Sequence, residues 1–245
     1  MNLDFWQIVL FLSLALFAEI LGTVGGFGSS VFFIPIASLF LDFQSVLGIT
    51  ALFHVISNVS KIALFKNGFD KFLILYLGIP AVIFVIIGAF LSKILNVVYL
   101  EIALSIFLII LSLIFLIFNH LEIKANKTNA ISGGVLSGFV AGLLGTGGAI
   151  RGITLSAFNI PSVIFISTSA VIDLGIDLSR SVVYTTNGFV HAHDLYLIPF
   201  LFGISFLGTY IGKLILNKIS QVSFKRIVLL LILITGVTTL VKQLL

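Results

Sequence analysis

Asp173, Asp177, Arg180 and Tyr184 stand in one apolar stretch at successive spacings of four, three and four residues. On a helix these spacings share one face. His54, Asn58 and Lys61 repeat the pattern more weakly in another apolar stretch. Two chemistries fit such a face. Asp177 and Arg180 can simply neutralise each other in a seam between helices. Alternatively, Arg180 or Lys61 holds an anion while Asp177 or His54 takes a proton. A lone histidine on an apolar helix also serves as a hydrogen-bonded packing residue, so His54 by itself decides little.

Arg151 poses the same question. An arginine deep in an apolar run costs about 2.5–3.5 kcal/mol on insertion scales unless it is paired or wet. Its planar fork suits an oxyanion with several oxygens; its plainer role is partner to Glu19 or Asp173. Arg151 lies three residues beyond a glycine cluster, Gly142-Leu-Leu-Gly145-Thr-Gly147-Gly148. A second cluster, Gly22-Thr-Val-Gly25-Gly26-Phe-Gly28, stands 120 residues earlier. Clustered glycines weaken a helix and leave backbone groups unpaired. Lipid tolerates that only where the break is buried in protein or lines a wet cavity. Bared N–H groups and helix N-termini bind anions. Gly25, Gly26, Gly28, Gly145, Gly147 and Gly148 are therefore expected to line a substrate site, with close helix packing as their competing role. Neither cluster is a nucleotide motif, since no Lys-Ser/Thr comes after it and G-x-G-x-x-G on a strand is not matched.

These residues need a scaffold that lives in lipid. Of 245 residues, 60% are hydrophobic and 9% charged, with a mean hydropathy of +1.29. Soluble domains carry about 25% charged residues. Runs at 3–21, 72–94, 100–118 and 227–245 are each long enough to cross a core of about 30 Å. The first run has neither a basic n-region nor a clean cleavage site, so it is expected to stay as a helix. The absence of cysteine excludes disulfides, iron–sulfur clusters and thiol catalysis. A net charge of +4 is ordinary for basic loops and does not point to nucleic acid.

The order of segments repeats. Stretch 3–21, a glycine break, 31–41, 46–65, 72–95 and 100–118 precede a hydrophilic linker at 120–129. Stretch 131–144, a break, 150–158, 163–184, 195–216 and a last helix come after it. At the offset of 120, Asn67-Gly68-Phe69 falls on Asn187-Gly188-Phe189, Gly88 on Gly208 and Lys93 on Lys213; a one-residue slip pairs Ser60-Lys61 with Ser179-Arg180. Such duplication is typical of secondary transporters. It divides the chain into a first membrane repeat at 1–120, a linker at 121–129 and a second repeat at 130–245.

Loop charge sets the relation between the halves. Lys66 and Lys71 flank the turn after 46–65, whereas the matching turn 185–194 has no Lys or Arg. Conversely, 217–226 carries Lys218, Lys225 and Arg226, and its counterpart 96–99 carries none. Opposite bias means opposite sides of the membrane, with the basic loops inside and both termini external. Stretch 131–144 has 14 residues, about 21 Å of helix, too short to span. The expected fold is an all-α integral membrane protein of two inverted repeats. Each is a Gly-broken re-entrant hairpin plus three transmembrane helices, about eight hydrophobic segments in total.

His191-Ala-His193-Asp194 has the spacing of metal ligands, but it lies in an expected external turn with no further ligands nearby. No metal is expected there, and acids are too few for a hard-cation site. There is no cofactor motif and no Ser/His/Asp set in a convincing context.

The glycine clusters and the helix starts next in the chain resemble the sulfite exporter TauE/SafE family, the 4-toluene sulfonate uptake permeases, over nearly the whole chain. Each half of that family opens with a Gly-rich cluster, with a Ser/Thr spot at the start of the next helix. Here these are Gly25-Gly26-Phe-Gly28 with Gly48-Ile-Thr50, and Gly145-Thr-Gly147-Gly148 with Ser167-Thr168-Ser169. Pro35 matches the proline after the first cluster; in the second half Leu155 takes its place, with Arg151 before it. The resemblance implies a multi-pass transporter of the cell (inner) membrane for a small sulfur-containing anion such as sulfite, thiosulfate or an organosulfonate. The expected substrate site joins the glycine breaks and Arg151 to Thr50, Asn58, Thr168, Ser169 and Arg180. His54, Lys61, Asp173 and Asp177 are the candidates for proton or charge coupling. Alternating access between the repeats is the expected mechanism. A passive channel with the same lining is the alternative, and a membrane-embedded enzyme lacks a nucleophile, metal set or cofactor motif.

Overall fold

The computed structural model describes residues 3–26, 28–65, 68–117, 124–216 and 221–244. Among them the long elements are helices: α1 Phe5–Gly25, α2 Ser30–Ala37, α3 Phe43–Leu64, α4 Lys71–Ile94, α5 Val97–Ile117, α6 Lys127–Leu144, α7 Gly148–Ser156, α8 Ser162–Thr186, α9 Leu197–Leu216 and α10 Gln221–Leu244. Local chemistry sets several starts. Asp4 and Gln7 form a capping box on α1, and Asp42, Asp70 and Asn126 accept from the first turns of α3, α4 and α6. Burial pushes the Asp42 carboxyl up, but hydrogen bonds from Ser45 and the nearby His191 outweigh it and hold the group below its ordinary range. Helix α4 widens into a π turn at Ile74–Gly78, just before Pro80. Proline cannot donate and crowds the carbonyl four residues earlier, and the π turn accommodates both.

Among the described residues six helices are long and apolar enough to cross a membrane: α1, α3, α4, α5, α8 and α9. In α10 the shorter stretch Ile232–Val241 is apolar. Lipid-facing stripes are plain on α4, where Ile79, Ile83, Ile87, Phe90 and Ile94 are exposed. The opposite face of α4 packs on glycines of α6. A Cβ on Gly138 would strike the Ala81 backbone, and one on Gly142 would lie 2.7 Å from Ala89 N. Small residues that let backbones touch are the usual adhesive between helices in lipid.

Contacts define two ends of the bundle. At the first end the start of α3 meets the α8–α9 loop, through Ser45 and Asp194, and Asn187 donates to Ala89 O near the end of α4. At the second end Asp70 N donates to Thr168 Oγ1 near the start of α8. There, too, Lys213 donates to Leu64 O at the end of α3, and Lys127 sits 4.4 Å over the Tyr76 ring. Helices α3 and α8 therefore run antiparallel, as do α4 and α9. Helix α1 leaves the first end, and α2 turns back along it, so that Phe40 reaches Phe11. Helix α6 leaves the second end, and α7 turns back until Thr154 lies against Gly133. Helix α4 packs on α6, and α9 on α1.

Several boundaries differ from the sequence expectation. Gly22 and Gly142 are helical, and the breaks come later, at Gly26 (φ 70°) and Gly145 (φ 78°). Both caps are left-handed, a conformation that glycine adopts without strain. They lie 119 residues apart, in the register of the Ser60-Lys61 and Ser179-Arg180 match rather than the 120 of the glycine alignment. The shortness argument for 131–144 fails, because the Asn126 cap starts α6 at Lys127 and gives it 18 residues. Lys225 and Arg226 fall inside α10 rather than in a loop, and α8 continues to Thr186. Lys66, Asn67, His120 and Lys218 lie outside the described residues.

Candidate functional site

The residues that come after the two glycine breaks meet inside the bundle. Ser30 Oγ donates to Thr146 Oγ1 at 3.3 Å, linking tips 116 residues apart. Helix α2 starts behind Ser29 and α7 behind Gly147, and neither start has a side-chain cap. Their first-turn N–H groups therefore lack the usual cap oxygen. Both starts border one cavity, together with Gly28, Gly145, Gly148 and the middles of α3 and α8. Its free volume is about 20 Å³, room for water but not for a sulfur oxyanion. A second small cavity shares Gly28, Lys61 and Asp173 with it and continues past Gly26, Ile166 and Ser169.

Three acids and three bases surround these cavities, and each base has an acid. Arg151 Nη2 donates to Asp173 Oδ2 at 2.5 Å, Nη1 meets Asp173 Oδ1, and Nε donates to Ser169 Oγ at 3.1 Å. A guanidinium has five N–H donors, so this pairing leaves some over. A Cβ added to Gly28 would stand 3.6 Å from Arg151 Nη2. Arg180 Nε donates to Asp177 Oδ1 at 2.7 Å, and Nη1 donates to Gly145 O and Ala141 O. Tyr184 donates to Gly142 O at 2.6 Å. Arg180 and Tyr184 thus satisfy the last carbonyls of α6, a place where a cation is favoured. Asn58 Nδ2 completes the cluster by donating to Asp177 Oδ2 at 2.7 Å.

The third pair is Glu19 and Lys61, 2.8 Å apart and buried. Ser29 and Ser57 each donate to Glu19 at 2.5 Å, and Thr209 donates at 3.0 Å. His54 bridges to it. Arg180 Nη2 lies 3.3 Å from His54 Nδ1 and can only donate, so Nδ1 accepts and Nε2 carries the hydrogen. Nε2 then donates to Ser29 Oγ at 2.8 Å, and Ser29 passes its own hydrogen to Glu19. One unbroken chain of hydrogen bonds runs from Asp177 through Arg180, His54 and Ser29 to Glu19 and Lys61.

Most of the sequence-expected residues come together here: Gly26, Gly28, His54, Asn58, Lys61, Gly145, Gly147, Gly148, Arg151, Ser169, Asp173, Asp177 and Arg180 line one cavity or the other. Three do not. Gly25 ends α1 and lines neither cavity. Thr50 is fully buried in α3, and its hydroxyl is without a partner. Thr168 is spent at the second end on Asp70 N, at 2.9 Å. Sequence reasoning named Glu19 only as a possible partner of Arg151, and left out Ser29 and Ser57. A carboxylate inside an apolar run marks Glu19, whereas nothing in the sequence distinguishes the two serines.

The family model described as sulfite exporter TauE/SafE matches residues 11–239. Comparison with curated proteins and with solved structures gives no match. The matched span holds both glycine breaks, all three acid–base pairs, five of the six long apolar helices and all but the first residues of α1. The chain belongs to the sulfite exporter TauE/SafE family of multi-pass membrane transporters.

Proposed function

We propose that the protein is a secondary transporter that moves a small sulfur-containing oxyanion or organosulfonate through the cavity between the glycine breaks, by alternating access. The observation that carries this reading is the convergence of two uncapped helix N-termini and the Arg151 fork on one cavity inside the bundle. Each of these holds anions, and in lipid each is costly without one. The reading takes the two halves as inverted repeats. Its support is the antiparallel course of α3 and α8 and of α4 and α9, with one hairpin reaching in from each end. Lys71, Lys127 and Lys213 gather at the second end, which the positive-inside rule turns toward the cytoplasm of a cell (inner) membrane.

Charge balance supplies the coupling. Three acids offset three bases, so an incoming anion brings uncompensated negative charge into a low-dielectric site. A proton taken up at a carboxylate beside its arginine, or at His54 once Arg180 has moved off Nδ1, restores neutrality, and anion and proton travel together. The cavity is closed around about 20 Å³, so the substrate is admitted only when the halves move apart.

Reconstituted liposomes test this with sulfite, thiosulfate, sulfate, sulfoacetate, taurine and chloride at equal ionic strength, with and without a pH gradient. The expected result is proton-driven accumulation of a sulfur oxyanion above its equilibrium level, lost in Arg151→Ala protein that inserts normally. Uptake that halts at equilibrium identifies a passive channel instead. Unchanged uptake by Arg151→Ala removes the arginine from the mechanism.

A further inference from the structure

The α8–α9 loop carries a second polar cluster, at the first end and outside the transport cavity. One ring nitrogen each of His191 and His193 and an Asp194 oxygen all lie within 4.8 Å of one another. His193 Nε2 is 3.4 Å from Asp194 Oδ1, and His191 Nδ1 is 3.7 Å from Asp194 Oδ2. Donors placed about 2.0–2.1 Å from a tetrahedral ion stand about 3.3–3.4 Å from each other. The two histidine–carboxylate distances are close to that spacing already, and the third separation is at most 4.8 Å.

The start of α3 supplies what the loop lacks. Ser45 Oγ lies 2.7 Å from each of Asp42 Oδ2, His191 Nδ1 and Asp194 Oδ2. A serine hydroxyl has a single hydrogen. With the His191 Nδ1 lone pair free to ligate, that hydrogen serves only one of the three, which leaves at least one carboxylate oxygen facing an oxygen with no hydrogen between them. A cation among these groups resolves the contact. The side chains of His191 and His193 are 36% and 45% exposed, so water reaches them, while that of Asp194 is 2% exposed.

We propose that His191, His193 and Asp194, completed by Asp42, bind a divalent transition-metal ion of the Zn²⁺ class. Two imidazoles with two carboxylates suit such an ion, whereas Ca²⁺ and Mg²⁺ take six or more oxygens. The ion ties the start of α3 to the α8–α9 loop, across some 146 to 149 residues of chain. From the sequence alone the motif has no further ligand; the fold brings Asp42 to within one shared hydroxyl of it, through Ser45.

Full-length protein in detergent, with any affinity tag removed, is stripped by chelator and dialysed against micromolar Zn²⁺ or Co²⁺. The expected result is about one ion per chain, a tetrahedral Co²⁺ absorption band, and an affinity at least about tenfold weaker in His191→Ala and in His193→Ala. His120→Ala keeps the ion. Metal-free His193→Ala with the parent's elution volume and unfolding temperature separates loss of a ligand from loss of folding. No retained metal overturns the proposal and assigns the short Ser45 contact to a proton on a carboxyl group. Binding that survives both histidine substitutions overturns it as well.

Discussion

Arg180 Nη2 stands 3.3 Å from His54 Nδ1, joining the middles of the antiparallel helices α3 and α8. That contact fixes the direction of every hydrogen bond beyond it. Arg180 cannot accept, so His54 donates onward through Nε2 to Ser29, and Ser29 to Glu19. Two acid–base pairs on different helices are thereby one electrostatic unit, with a titratable ring at its centre.

Removing the ring breaks that unit. His54→Phe keeps the packing against Phe33 and Phe53 but leaves Arg180 and Ser29 short of a partner. Leaving buried polar groups unpaired costs about 1–3 kcal/mol, and unfolding in detergent is expected at a correspondingly lower temperature. The more telling readout is transport. Anion uptake is expected to lose its response to a pH gradient, and a variant that still accumulates substrate along that gradient denies His54 a part in proton traffic.

The Glu19–Lys61 pair predicts a different pattern. Both side chains are buried, and Glu19 also accepts from three hydroxyls at 2.5 to 3.0 Å. Lys61→Met strands a carboxylate away from water, a loss of about 3–5 kcal/mol when one partner of a buried pair is removed. Adding Glu19→Gln removes the stranded charge and keeps acceptor and volume. The double variant is therefore expected to unfold at a higher temperature than Lys61→Met alone. Additive destabilisation in a double-mutant cycle contradicts the pairing.

The glycine seam can be tested apart from the charges. A Cβ at position 142 lies 2.7 Å from Ala89 N and 2.9 Å from Val85 C, with backbone on the opposing helix that cannot turn aside. Gly142→Ala forces α4 and α6 apart, at an expected cost of about 1–3 kcal/mol. Gly203 has nothing within 4 Å of its added Cβ. Gly203→Ala is expected to be neutral or to gain up to about 1 kcal/mol of helix propensity. Equal thermal stability of the two variants contradicts the seam.

Charge in an apolar background is what made much of the site legible in the sequence. Arg151, Asp173, Asp177, Arg180, Lys61 and His54 announce themselves because lipid makes an unpartnered polar side chain costly. Who pairs with whom was not legible. Glu19 stood as one possible partner for Arg151, yet it is held by Lys61, because the course of α1 brings it beside the last two turns of α3. Serines 29 and 57 carry no sequence signal, being as acceptable in a packed helix seam as in a relay. The breaks were legible as a region but not to the residue. Gly22 and Gly142 are there for close approach, and only Gly26 and Gly145 take the left-handed cap. Asp42 and Ser45 meet His191 and Asp194 across a separation that no local pattern encodes.

Asp173 offers the sharpest test of how an anion is received. Its two oxygens occupy the Arg151 fork, the geometry a sulfur oxyanion would also seek. Carboxylate and substrate therefore compete for one guanidinium. Asp173→Asn keeps the shape and removes the charge. A hydrogen bond to a charged group is worth about 1.5–3 kcal/mol net, so freeing the fork is expected to tighten anion binding by about 10- to 100-fold. The gain has a consequence for turnover. Without the Asp173 charge the site carries one surplus positive charge, the anion no longer needs a proton beside it, and release becomes the slow step. In a thermal-shift titration the midpoint for the anion should fall, while uptake in liposomes slows and its response to a pH gradient flattens. A weaker anion midpoint in Asp173→Asn contradicts competition, and makes Asp173 a group that helps to hold the substrate, donating to it when protonated.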